Sequence, residues 1–91
     1  MKFMVVERFP VGKVDEIYRV LRTRGRQMPE GLSYLESWIS ADLETCFQLM
    51  ECDDAAALQK WVAQWSGLLS VTFYPVTTSK ETSAIMASLS E

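Results

Sequence analysis

The hydrophobic period of this 91-residue chain switches between about 2 and about 3.6 residues in an order that few folds accommodate. Residues 2–9, KFMVVERF, are an extended run rich in β-branched and aromatic side chains, stopped by Pro10-Val11-Gly12. Val14, Ile17, Tyr18 and Leu21 then fall on one helical face, with Asp15 and Glu16 early and Arg19, Arg22, Arg24 and Arg26 late, as the helix dipole favours. Gly25 and Pro29-Glu30-Gly31 end that segment. Residues 32–40 (LSYLESWIS) and 44–52 (ETCFQLMEC) read as two strands joined by Ala41-Asp42-Leu43, a connection short enough to require antiparallel pairing. Asp53-Asp54 offer a helix N-cap, and Leu58, Trp61, Val62 and Trp65 repeat the helical spacing up to Ser66-Gly67. Residues 68–76, LLSVTFYPV, form a fourth strand in which Pro75 favours an edge or a strand end.

Strand, helix, hairpin, helix, strand is the split β-α-β pattern. The expected fold is α+β, ferredoxin-like β-α-β-β-α-β, with a four-stranded antiparallel sheet and two helices on one face. Residues 1–76 form the expected single domain. Residues 77–91 form a C-terminal tail with a capping box, Thr78-x-x-Glu81, and weak apolar spacing at Ile85, Met86 and Leu89 that suggests a short docked helix.

A sheet covered on one face leaves the other to be explained. Alternation assigns Met4, Val6, Leu35, Ile39, Phe47, Leu49, Val71 and Phe73 to the core beneath the helices. The second face then carries Phe3, Val5, Phe9, Tyr34, Trp38, Met50 and Tyr74, interleaved with Glu7, Glu36, Gln48 and Thr72. A monomer would expose several hundred Å² of apolar surface there, which soluble monomers seldom do. Burying about 400 Å² of it per subunit is worth roughly 10 kcal/mol before association costs. A homodimer, sheet against sheet, is therefore expected. A register slip of one residue would exchange whole sets.

Composition closes other routes. Hydrophobic residues make up 48% and charged residues 23%, an ordinary globular balance, and a net charge of -3 offers no cationic surplus for nucleic acid. No apolar run is long enough to span a membrane, and Glu7-Arg8 arrive too early for a secretory leader, so a cytoplasmic location is expected. Cys46 and Cys52, six residues apart on one strand, lie about 20 Å apart and cannot bridge. The chain has no histidine, which removes Ser-His-Asp and Cys-His catalysis and histidine-ligated metals. No metal and no cofactor is expected, and any acid or base must be Asp, Glu, Lys, Tyr or Cys.

The stretches MKFMVVERF, GKVDEIYRV, RGRQMPEGL, SW and CFQLMECDD, with the Trp61–Trp65 pair and the final PV, resemble a bacterial family called domain of unknown function 3303. The resemblance covers residues 1–78 and lies within the dimeric α/β barrel superfamily. It implies the dimeric fold derived above. The superfamily includes cofactor-free quinone-type monooxygenases, lactone isomerases, stress-responsive proteins and haem enzymes. The proximal histidine of the haem members and the histidine of many monooxygenases have no counterpart in this chain.

The candidate catalytic residues are Glu7 and Glu36, carboxylates on the face assigned to the dimer interior, where burial would bring them towards neutral pH. Tyr34, Trp38 and Tyr74 could line a pocket for a flat ligand, and Gln48 could orient its oxygen. The plainer readings are salt bridges for the glutamates, interface packing for the aromatic residues and a solvated helical face for the arginines. Trp61 and Trp65 read as core. Two functions stay open. One is a small organic ligand (aromatic, quinone-like or lactone) bound or transformed in the dimer cavity. The other is a non-catalytic regulatory or interaction module whose second sheet face is only a dimer core. A cavity of roughly 300 Å³ or more holding those polar groups would favour the first.

Overall fold

The structure, a computed structural model, describes residues 1–90. Its elements follow the expected order: β1 (Lys2–Arg8), α1 (Val14–Arg24), β2 (Ser33–Ile39), β3 (Thr45–Glu51), α2 (Ala55–Gln64), β4 (Ser70–Val76) and α3 (Ser79–Leu89). The four strands form one antiparallel sheet in the order β2-β3-β1-β4. The chain has the ferredoxin-like fold, and β4, with Pro75, is an edge strand. Asp54 caps α2 by accepting from the Ala56 amide at 2.9 Å. Gly25 closes α1 at φ 67, a conformation that favours glycine.

The core lies between the sheet and the first two helices. Val5, Leu32, Met50 and Cys52 pack with Ile17 of α1 and with Ala57, Leu58, Trp61 and Trp65 from α2 and its end. Register fixes the faces. Val5 pairs with Gln48 and Phe73, and Glu7 with Cys46 and Val71, so these residues share the helix side. Met4 pairs with Leu49 and Tyr74, and Val6 with Phe47 and Thr72, on the open side.

This corrects the sequence-based assignment for β1 and β3, whose two sets exchange. Phe3, Val5, Glu7, Gln48 and Met50 lie under the helices, while Met4, Val6, Phe47 and Leu49 lie on the open face. Both sets are apolar, so alternation alone could not orient them. Strand β4 is oriented as expected. In β2 a bulge between Tyr34 and Glu36 inserts Leu35 and inverts the alternation partway. Tyr34, Ser37 and Ile39 therefore share the helix side, and Glu36 and Trp38 the open side.

The tail forms α3 with its capping box in place, Thr78 Oγ1 accepting from the Glu81 amide and Glu81 from the Thr78 amide. It is not docked: every residue of α3 is exposed, including Ile85, Met86 and Leu89. The helix projects from the domain, and the molecule measures 53 × 31 × 17 Å. Residue 91 of the expected tail lies outside the described residues. Among them, Cys46 and Cys52 are free thiols, and no helix is long and apolar enough to cross a membrane.

Candidate functional site

Two polar side chains lie almost fully buried beneath the helices: Glu7, 4% exposed, and Gln48, 5% exposed. Such burial is costly unless each finds a partner. The Gln48 amide nitrogen donates to the Glu7 carboxylate, and its oxygen accepts from Arg26 Nη1 at 2.9 Å. Gln48 thus bridges an acid and a base that form no direct ion pair. These partners make it tolerable for the Glu7 face of β1 to turn towards the helices.

Arg26 is held from several directions. Its guanidinium stacks 3.8 Å from the centroid of the Tyr34 ring. Its backbone oxygen accepts from the indoles of Trp61 at 3.0 Å and Trp65 at 3.4 Å. Gln27 follows in a left-handed conformation at φ 57, a costly turn for a residue other than glycine. Tyr34 in turn shares a 2.6 Å hydrogen bond with Ser37.

Above the Glu7–Gln48–Arg26 chain lies a cavity of about 170 Å³. Its polar lining is Glu7, Arg26, Gln48, Ser37, Cys46 and Tyr18. The apolar walls come from Phe9, from Ile17 and Leu21 of α1, from Trp61 and Trp65, and from Trp38 and Ile39 of the edge strand. The space falls short of the roughly 300 Å³ set above as favouring ligand binding in a dimer cavity, and it lies within one chain. An apolar cavity of about 150 Å³ accommodates benzene, so this one has room for a single ring.

The electrostatics follow from burial. Desolvation pushes Glu7 up to about 7, opposed by the nearby Arg26 charge and the Cys46 thiol. Burial, reinforced by the Glu7 charge, pushes the Cys46 thiol up to about 12, so it stays protonated at neutral pH. Tyr18 is also raised, first by burial and then by Cys46 and Glu7. Glu7 is therefore the lining group poised to exchange a proton near neutrality.

The sequence-derived candidates separate. Glu7, Gln48 and Trp38 border the cavity, and Tyr34 supports Arg26 from beside it. Glu7 and Gln48 lie on the helix side rather than in the expected dimer interior because the β1 and β3 sets exchange, and Tyr34 does so because of the β2 bulge. Glu36 and Tyr74 stand exposed on the open face, away from the cavity. Arg26 does not belong to a solvated helical face with Arg19, Arg22 and Arg24, which are exposed. The signal for this was Gly25: a residue beyond the cap leaves the helical surface. Trp61 and Trp65 are core, as expected, but they also line the cavity and hold Arg26. No cluster of three or more acidic or cysteine side chains able to hold a metal occurs among the described residues.

A four-stranded ferredoxin-like sheet with this internal cavity defines the architectural class. The chain belongs to the family described as domain of unknown function (DUF3303), whose sequence profile matches residues 1–90 and so extends through α3. A comparison with curated proteins gave no match. Among solved structures, the fold is similar to that of a candidate antibiotic biosynthesis monooxygenase from Deinococcus radiodurans. That match has 13% identity and a TM-score of 0.47, and covers 87% of this chain and 95% of that one. Rv0793 from Mycobacterium tuberculosis is similar at 19% identity and a TM-score of 0.47, with 86% and 97% covered.

Proposed function

We propose that this protein binds a small, single-ring organic molecule in the cavity between its sheet and helices, with Glu7 able to give or take a proton there. The observation that carries this reading is the Gln48 bridge, which holds a buried carboxylate and a cation at the wall of a ring-sized space. A pure packing core has no use for such a chain, because burying polar groups costs stability that apolar residues would not. The test is a titration of the ¹⁵N-labelled protein with phenol, benzoate, benzoquinone and δ-valerolactone. Saturable shifts are expected at the Trp61 and Trp65 indole signals and at the amides of Glu7, Cys46 and Gln48. Absence of saturable shifts with every compound would overturn the reading.

The protein works as a homodimer through the open sheet face. Trp38 (52% exposed), Tyr74 (50%) and Phe47 (38%) lie there with Met4, Val6 and Leu49. Four seven-residue strands present a face of roughly 450 Å² in projection, at ~4.8 Å between strands and ~3.4 Å per residue. Apart from Trp38, which borders both, interface and cavity are on opposite sides of the sheet, so each protomer carries its own site. Light scattering at micromolar concentration is expected to give a dimer, and Phe47→Glu a folded monomer. A monomeric wild-type protein would rule the assembly out.

A further inference from the structure

The cavity's charges narrow the class of molecule it would take, if the ligand-binding reading holds. We infer that the ligand is a single-ring monocarboxylate held by Arg26, and that its arrival brings one proton onto Glu7.

Among the described residues, Arg26 is the one cation bordering the cavity. Among the described residues no carboxylate forms an ion pair with it; a single N–H is engaged, by Gln48, and one face of its plane rests on Tyr34. A guanidinium has five N–H donors in a fixed fork that matches a carboxylate. The fork is held in place before any ligand arrives, by Tyr34, Gln48 and the two indole bonds to its own carbonyl. Phe9, Ile17, Leu21 and the tryptophans supply the apolar walls that a ring requires.

The proton follows from charge balance. Without ligand, Arg26 and an ionised Glu7 sum to zero. A ligand carboxylate would leave two anions and one cation in a half-buried space, and one of the carboxylates would then be driven to neutralise. The ligand's is paired with Arg26; that of Glu7 reaches Arg26 only through Gln48. Glu7 therefore takes a proton from solvent: ligand carboxylate plus ionised Glu7 plus one proton gives bound carboxylate and neutral Glu7. The other groups facing Glu7 do not compete. Cys46 from β3 and Tyr18 from α1 already hold their protons, Ser37, Trp61 and Trp65 carry no charge, and β4 contributes no titratable lining group.

Calorimetric titration with benzoate, and with benzamide as its neutral isostere, tests this in two buffers of different ionisation enthalpy. At about pH 8, benzoate is expected to bind with uptake of about one proton, and its affinity to fall about tenfold per pH unit above the Glu7 transition. Glu7→Gln should bind benzoate with no proton uptake and no such fall. Arg26→Met should weaken benzoate at least tenfold and benzamide severalfold less, and Arg26→Lys should recover part of the benzoate loss if the fold is intact by circular dichroism. Equal affinity of the wild type for benzamide and benzoate would overturn the carboxylate assignment while leaving ring binding standing. Benzoate binding at about pH 8 without proton uptake would overturn the role of Glu7. Failure of every ring compound would instead refute the ligand-binding reading on which the inference rests.

Discussion

Trp61→Ala is expected to cost about 3–5 kcal/mol, a large part of the total stability of a domain this size. Trp61 is 1% exposed and is among the largest fully buried side chains. Its removal empties the space between α2 and the sheet and also deletes the indole bond to the Arg26 carbonyl. Urea unfolding followed by circular dichroism would measure the loss. Trp61→Phe separates the two contributions. It keeps most of the ring volume, so about 1 kcal/mol should be lost with the hydrogen bond. Arg26 should loosen, visible as line broadening at the Gln27 and Gln48 amides. A Trp61→Ala protein as stable as the wild type would show that the α2 packing described above is wrong.

The second large effect is a pH dependence opposite to that of most carboxylates. Glu7 titrates at about 7 in the folded chain against 4.5 as its ordinary value. Between these values the unfolded chain has released the proton and the folded chain still holds it. Folding stability contributed by Glu7 is therefore complete below about pH 4.5, falls as pH rises towards 7, and is flat above. The loss is on the order of 3 kcal/mol. Glu7→Gln keeps an oxygen that can accept from Gln48 but never ionises. It should match the wild type near pH 4, exceed it by a few kcal/mol at about pH 8, and melt on the order of 10 °C higher there. Asp42 and Glu81, whose carboxylates are held below their ordinary range by hydrogen bonds from Ser40 and Thr78, work in the other direction at lower pH. The difference between variant and wild type removes their contribution. A wild type whose stability is level between pH 4.5 and 7 would contradict the buried position of Glu7.

These two residues also mark where sequence reasoning reached and where it stopped. Trp61 was legible because helical spacing with Leu58, Val62 and Trp65 is a local property. The same holds for the β1 run ended by Pro10, for the cap at Asp54 and for the capping box at Thr78. Glu7 was legible as a candidate, through its place in an apolar strand, but its surroundings were not. The strand sets of β1 and β3 are apolar on both sides, so nothing local says which side meets the helices. The bulge at Leu35 then reverses the alternation inside β2, a change with no signature in spacing alone.

The order of strands and helices, and hence the ferredoxin-like fold, was determined by the sequence itself, because period and turn chemistry act over a few neighbours. That the sheet carries apolar side chains on its second face was foreseeable on the same ground, although the residues assigned to that face changed. Which face is inward was decided only by tertiary structure. Glu7 on β1, Gln48 on β3 and Arg26 beyond α1 lie far apart in the chain, and burial of the first two is tolerable only where all three meet. That meeting moves the candidate site from between two protomers to the interior of one.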